Sequence, residues 1–186
     1  MSRSRTAARA RSRTAAFTLD GEVASPARLT VGDLRTRWRQ RRADVVFHCL
    51  KAGPQPHSFS GPLLRDVVAD AGPVFGGPGR KARAGFVLAV DGGDGHGTVL
   101  SWAEIDADFG NVPVLLATDM DGRGLEAEGA QLVVPSDHCG ARYVSAVTAV
   151  RLTGWPRVAA LMARELPAAA APRTGRRAAA VSGDGE

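Results

Sequence analysis

Two short segments place a thiol beside an imidazole, each where a predicted strand gives way to a loop. His48-Cys49 ends one strand, and His138-Cys139 lies in the loop after another. A thiolate is a good ligand for soft or high-valent metals, and nearby cationic side chains lower the pKa of a thiol. Loops at strand ends carry function more often than buried strands do. Both pairs are therefore candidates for a metal or cofactor site, although cysteine is also a common buried core residue.

The two pairs together allow a zinc site, because four nitrogen and sulfur ligands suit tetrahedral zinc. Adjacent residues on a strand point to opposite faces, however, so both members of one pair rarely reach the same ion. Zinc is therefore the weakest of the readings. Two cysteines are too few for a disulfide scaffold, so Cys49 and Cys139 could form one bridge, a metal site or two independent thiols.

Signatures of several other chemistries are missing from the sequence. The segment GGPGRK at 76–81 lacks the spacing of a phosphate-binding P-loop, and DGGDGHG at 91–97 lacks the ligand spacing of an EF-hand. No GxSxG nucleophile elbow occurs. The sequence therefore offers no independent evidence for nucleotide, calcium or serine-hydrolase chemistry.

The elements that must position these segments are mainly short strands. Runs rich in apolar and β-branched residues predict strands at 17–23, 44–50, 85–91, 112–118, 131–135 and 143–152. Loops are expected at 51–58, which holds two prolines, and at 72–85, and a turn at Asp121-Gly122. Strands outnumber helices, and the helices are short and interspersed. This order predicts an α+β fold with mixed or antiparallel sheets.

Helix starts are marked by residues that satisfy free backbone N–H groups. Thr30 precedes a helix with Asp33 three positions on, and Ser101 stands in the same relation to Glu104, so both pairs predict capping boxes. Pro62 fits the first turn of another helix, because its missing N–H would have no partner there. We therefore expect three short helices between the strands, after 30, 62 and 101.

The basic character of the chain lies at its ends. Residues 1–16 hold five arginines and no acidic residue, and 157–186 hold five arginines against three acidic residues. We expect a domain at 17–156 between a basic disordered tail at 1–16 and a mostly disordered Ala/Arg/Pro-rich tail at 157–186, in which 157–165 can form a short helix. A basic tail can contact nucleic acid or anionic lipid, but we expect no nucleic-acid partner.

No apolar run is long enough to span a membrane, and no signal peptide is visible. The sequence as written therefore predicts a cytoplasmic protein without a membrane span. A misassigned start codon would leave export open.

The order of segments across 17–154 resembles the molybdopterin-binding domain of sulfite oxidase-like oxidoreductases. The segments that carry this resemblance are FTLDGEV, LTVGDL, VVFHC, HSFSGPLLRDVVADAG, SWAEID, PVLLAT, MDGRGL and QLVVPSDHCGARYVSAVTAVRL. The resemblance implies a sulfite oxidase-like fold, molybdopterin as cofactor, a small-molecule substrate and an electron-transfer partner. The chain departs from the larger enzymes in lacking the tryptophans that often follow their cysteine.

The resemblance also implies site residues. Cys49 holds the position of the cysteine that binds molybdenum through sulfur. The segment from Val134-Pro135 to Arg142 matches the loop that helps to bind the pterin and its phosphate. The resemblance makes both part of one cofactor site, so Cys49 and the loop Ser136–Arg142 should line a single cleft. The residues that we predict to bind the cofactor are Cys49, Ser136, Asp137, His138, Gly140 and Arg142. In this scheme Asp137 accepts hydrogen bonds from the pterin, Gly140 allows close backbone approach, and Arg142 contacts the phosphate.

Three functions remain open from the sequence. The first is a molybdenum oxidoreductase that transfers an oxygen atom or electrons to or from a small substrate. The second is a non-catalytic binding module, or a remnant that keeps the fold without an active cofactor. The third is the zinc protein described above. Whether the protein is an enzyme therefore depends on whether it holds an active cofactor.

Overall fold

The computed structural model describes residues 15–49 and 53–165 of the 186-residue chain. The strands are β1 (Ala16–Gly21), β2 (Ala27–Thr30), β3 (Arg41–Cys49), β4 (Gly53–Gly61), β5 (Phe86–Gly92), β6 (Gly97–Ser101), β7 (Leu115–Ala117), β8 (Asp119–Met120), β9 (Arg123–Gly124), β10 (Gln131–Val133) and β11 (Val147–Gly154). The helices are α1 (Val31–Arg37), α2 (Leu64–Asp70), α3 (Arg80–Ala84), α4 (Trp102–Ile105) and α5 (Trp155–Glu165), with a 3-10 turn at Gly140–Arg142.

The described strands form three sheets. The largest has the order β2-β1-β11-β5-β6; the others are the pair β10-β7 and the sheet β3-β4-β8-β9. β1 runs parallel to β11, whereas the remaining pairs are antiparallel. The α+β class with mixed sheets that the sequence predicts is therefore confirmed.

The core lies where the inner faces of these sheets and the apolar sides of the helices meet. Alternate residues of β5 and β11 are fully buried, as Leu88 and Leu152 illustrate, and Phe59 of β4 is buried as well. Gly61 lets the end of β4 cross close to β7, because a methyl group at this position would overlap the backbone of Leu116. This crossing joins the β3–β4 hairpin to the rest of the core.

Local signals explain the start of α1 and the turn between β8 and β9. Thr30 caps α1 as predicted: its hydroxyl accepts from the Asp33 N–H at 3.1 Å, and the Asp33 carboxylate accepts from the Thr30 N–H at 2.8 Å. The tight turn between β8 and β9 has φ values of 52° at Asp121 and 76° at Gly122, a conformation that asparagine, aspartate and glycine tolerate best. The predicted turn at this position is confirmed.

Three local predictions were wrong. The loop expected at 72–85 contains helix α3 at its end. Residues 53–61 are strand β4 rather than part of a loop. β8 pairs only with Phe59 and Ser60 of β4, so the outer edge of β4 has no named strand beside Pro54 and Pro56, and proline is tolerated at such an edge. Ser101 precedes α4 but makes no side-chain capping bond, so the second capping box does not form.

The predicted disordered tails fall largely on 1–14 and 166–186, which lie outside the described residues. The short helix expected at 157–165 is present as the main part of α5. Across 15–49 and 53–165, no helix is long and apolar enough to cross a membrane.

Candidate functional site

The loop from Pro135 to Arg142 leaves β10 and returns to the core within a few residues. Its first turn is closed by the Asp137 N–H, which donates to the Val134 carbonyl at 3.0 Å. Buried Tyr143 follows the loop, and its hydroxyl donates to the same Val134 carbonyl at 2.9 Å. Both ends of the loop are thus anchored on one backbone carbonyl, and this limits the conformations open to the segment between them.

Arg142 lies between two carboxylates from different parts of the chain. Its Nε and one terminal nitrogen donate to the two Asp137 oxygens at 2.8 and 2.6 Å, and the other terminal nitrogen donates to Glu104 at 3.0 and 3.2 Å. The hydrogen bond to Asp137, with a smaller contribution from Glu104, raises the pKa of Arg142 above its ordinary value. The arginine therefore stays charged, and it ties the loop to α4.

A second tie comes from the loop between β5 and β6. The His96 Nε2 donates to the carbonyl oxygen of Ala141 at 3.0 Å. Sequence reasoning did not assign His96 or Glu104 to the site. The spacing of Glu104 from Ser101 predicted a capping box. In the structure the Glu104 carboxylate pairs with Arg142 instead.

Tyr143 supports the loop from the core side. Burial raises the pKa of its phenol to about 12, and the negative charge of Asp137 contributes in the same direction. Its ring meets Phe59 edge to face, with the ring centroids 6.3 Å apart. The phenol is thus protonated at neutral pH and can keep donating to the backbone.

The remaining predicted loop residues differ in exposure. Ser136 and His138 are exposed, Gly140 is half-buried at the start of the 3-10 turn, and Cys139 is an exposed free thiol. The structure therefore brings Asp137 and Arg142 into direct contact and leaves two polar side chains of the loop open to solvent.

Cys49 is the last residue of β3, opposite Gly53 in the β3–β4 register. Its side chain lies outside the described residues, so its predicted place in one cleft with the loop stays a prediction. The same holds for the zinc reading, which needs the side chains of His48 and Cys49. Among the side chains that are described, no group of three or more His, Cys, Asp or Glu is arranged to hold a metal ion.

A cleft of about 450 Å³ lies between the start of β3, the start of α2 and Pro135. Its lining residues are Arg41, Arg42, Ala43, Asp44, Leu63, Arg65, Asn111, Pro113, Leu115 and Pro135. Three arginines against one aspartate give it a positive balance. It is of a size that takes small ligands and cofactors. The adjacent arginines at the start of β3 could have indicated a basic site from the sequence. The other residues that line the cleft are distant in the chain, so the cleft itself could not be predicted.

The start of β3 and Cys49 stand at opposite ends of one strand. Cys49 is five positions beyond Asp44, which corresponds to roughly 16 Å of extended chain. Between them, the hairpin is fastened to the β8–β9 turn. His57 Nδ1 lies 2.8 Å from one Asp121 oxygen, and the Ser58 N–H donates to the other at 2.8 Å. These contacts fasten the hairpin that carries Cys49 to the turn between β8 and β9.

Comparison with known proteins gives the following matches. A family model described as oxidoreductase molybdopterin binding domain matches residues 6–159. The crystal structure of the sulfane dehydrogenase SoxCD from Paracoccus pantotrophus is similar, with a TM-score of 0.58 and 20% sequence identity. The match covers 74% of this chain and 38% of that chain, and at this identity it shows a shared fold. No curated protein matches the chain significantly.

Proposed function

Because this chain belongs to the oxidoreductase molybdopterin-binding domain family, we propose that it holds molybdenum through the Cys49 thiolate and exchanges an oxygen atom or electrons with a small substrate. The family match over residues 6–159 shows that the chain contains a molybdopterin-binding oxidoreductase domain.

The residues beside the Pro135–Arg142 loop fit an anionic cofactor. The 450 Å³ cleft has the volume of a small-ligand site, and Arg41 and Arg65 on its wall can offset the charge of a phosphate. Ser136 and His138 are exposed and can offer further hydrogen bonds. When bound, molybdopterin supplies the redox chemistry, and the protein supplies binding and orientation.

Arg142 has two roles in this proposal. A guanidinium carries five N–H donors, so its four hydrogen bonds to Asp137 and Glu104 do not use all of them. One remaining donor can meet a phosphate while the ion pairs keep the loop in place. Asp137 has less free capacity than Arg142. Both of its oxygens already accept hydrogen bonds from Arg142, so an oxygen that also accepts one from the pterin must accept two.

The deciding experiment measures the metal and the cofactor directly. The chain is produced in a host that makes molybdopterin, and molybdenum, zinc and released pterin are quantified. Turnover is then followed with an artificial electron acceptor and small oxyanion or sulfoxide substrates. Near-stoichiometric molybdenum with turnover is the expected result.

The other outcomes separate the alternatives. Molybdenum and pterin without turnover on any substrate would favour the binding module over the enzyme. Zinc without pterin would favour the zinc site. A chain that takes up no pterin in a competent host would overturn the proposal and leave a remnant of the fold.

A further inference from the structure

The segment 96–104, which contains β6 and the start of α4, contacts the loop between β10 and β11 at both of its ends. His96 stands just before β6, and its Nε2 donates to the Ala141 carbonyl at 3.0 Å. Glu104 lies on α4, and its carboxylate accepts from Arg142 at 3.0 and 3.2 Å. Two consecutive residues of the loop are therefore held by side chains from one continuous segment.

The backbone that carries each of these two side chains is itself fixed by hydrogen bonds. The His96 N–H donates to the Asp94 carboxylate at 3.0 Å, and the His96 carbonyl accepts from the Gly92 N–H at 2.8 Å. The Glu104 carbonyl accepts from the Val112 N–H at 2.9 Å, and α4 packs two buried side chains into the core. Both side chains therefore reach the loop from an ordered support, which is needed if they are to hold it in one conformation.

Glu104 fixes the orientation of the Arg142 guanidinium. Asp137 accepts from Nε and one terminal nitrogen of Arg142, and Glu104 accepts from the other terminal nitrogen. A planar group that is bonded through all three of its nitrogens keeps one orientation, so its remaining N–H points in one direction. Without Glu104, one terminal nitrogen is released and only the contact to Asp137 restrains the group.

We propose that Glu104 and His96 are positioning residues of the cofactor site, which act through Arg142 and Ala141 and keep the loop in the conformation that binds the pterin. This inference rests on the proposed function. A loop that is already ordered loses less conformational entropy when the ligand binds, so the ligand is held more tightly.

The charge of Glu104 acts in the opposite direction to its positioning effect, because a carboxylate repels a phosphate. Both Glu104 oxygens accept from the cationic Arg142, however, and this pairing offsets much of the repulsion. Positioning therefore outweighs repulsion. The two effects predict opposite results when the charge is removed and the hydrogen bond is kept, so substitutions at this position can separate them.

The first measurement is the rate at which pterin leaves the full chain after purification from a host that makes molybdopterin. Glu104→Ala and His96→Ala should each release it about fivefold faster, the factor expected for one lost hydrogen bond. Glu104→Gln keeps an oxygen that accepts from Arg142, and His96→Gln keeps an N–H donor, so both should retain pterin about as well as the unchanged chain. Slower release by both Glu104→Ala and Glu104→Gln would mean that the charge dominates, and would overturn the proposal.

The second measurement is hydrogen exchange of the full chain made without molybdopterin, so it needs no cofactor. Peptides that cover 137–144 contain the bonded N–H groups of Asp137 and Tyr143. These peptides should exchange faster in Glu104→Ala and His96→Ala than in the unchanged chain, because the loop opens more often. Unchanged exchange and unchanged pterin release in both variants would overturn this inference and leave the proposed function standing.

Asp20→Asn is the matched control for a general loss of stability. Asp20 also accepts two hydrogen bonds from one arginine, Arg151, but it lies on β1. This variant should leave both the exchange of the loop and the release of pterin unchanged. Equally fast release by Asp20→Asn would mean that lower stability is the cause, and would overturn the inference. An unchanged chain that takes up no pterin would overturn the proposed function, and the inference with it.

Discussion

Arg142 makes hydrogen bonds in two directions, to Asp137 five residues away and to Glu104 on α4. The side chains of Arg142, Asp137 and Glu104 are 35%, 17% and 24% exposed, so water screens the charges only in part. Bidentate arginine–carboxylate pairs are stronger and more directional than ordinary surface ion pairs. Loss of the arginine would leave two carboxylates close together without a cation between them.

Arg142→Gln should therefore lower the free energy of unfolding by about 1 to 2 kcal/mol, measured by urea denaturation. Adding Glu104→Gln removes one of the two uncompensated charges and should recover part of the loss. The coupling between the two positions follows from the double-mutant cycle. Strictly additive effects of the two substitutions would contradict the proposed contact.

Cys49→Ser should abolish molybdenum-dependent turnover while it leaves the melting temperature nearly unchanged. Serine is close to cysteine in size, but its hydroxyl is a harder and far less acidic ligand. Bound pterin should fall less than turnover, because the loop contacts remain. Exposed Cys139→Ser is the matched control and should keep activity. A Cys49→Ser protein that turns over as fast as the unchanged chain would disprove the ligand assignment.

Among the elements, α1 and the β3–β4 hairpin show how differently local sequence controls structure. α1 starts at a complete capping box formed by neighbours in the chain. β4, in contrast, holds two prolines and forms a strand because it pairs with β3 along its whole length. Pairing with the preceding strand of the hairpin outweighed the local preference for a loop.

Thr30→Ala removes the hydroxyl that caps α1 and should cost about 1 kcal/mol of stability. Thr36→Ala provides the comparison, because the Thr36 hydroxyl is exposed and bonds only to carbonyls within the same helix. That change should stay within about 0.5 kcal/mol. Both are measured by chemical denaturation; equal losses for the two variants would argue against the cap as the cause.

At the scale of the whole molecule, carboxylates join segments that are distant in the chain. Asp20 of β1 pairs with Arg151 of β11, and Asp121 accepts from Ser58 and His57 of β4. The hydrogen bond from Arg151 holds the pKa of Asp20 below 3.8, and the backbone N–H of Ser58 does so for Asp121. Each carboxylate is thus more readily ionised in the folded chain than in the unfolded one.

A carboxylate whose pKa is lower in the folded than in the unfolded chain stabilises the fold. This stabilisation is fully present above the unfolded pKa of about 3.9, and it is lost as the pH falls through the lower pKa of the folded chain. The melting temperature should therefore decline below about pH 4. Asp20→Asn should be less stable near neutral pH and should show a shallower decline in acid. An acid profile of Asp20→Asn that parallels that of the unchanged chain would rule out this contribution.

We also propose that the folded domain corresponds to residues 17–156 and that both ends are loosely packed. Limited proteolysis should shorten the chain from each end and leave a stable fragment, identified by mass spectrometry. Early cleavage within 112–150 would contradict this, because the strands β7, β10 and β11 in that range contribute buried core residues.

The sequence by itself determined the features that depend on neighbours in the chain. The α1 cap, the Asp121-Gly122 turn and most strand positions follow from side chains within a few residues of each other. The order of its motifs also identified the family and the cofactor class, which the family match confirms. The assignment of single residues to the cofactor rests on that resemblance and stays a prediction.

Only the tertiary structure decided how distant segments meet. Glu104 pairs with Arg142 across 38 positions, and Pro135 joins the arginines at the start of β3 around one cleft. Local sequence cannot specify such contacts, because they depend on which strands pair and how the sheets pack on one another. β4 shows the same effect between neighbouring strands: its prolines favoured a loop, and the hydrogen bonds to β3 in the hairpin favoured a strand.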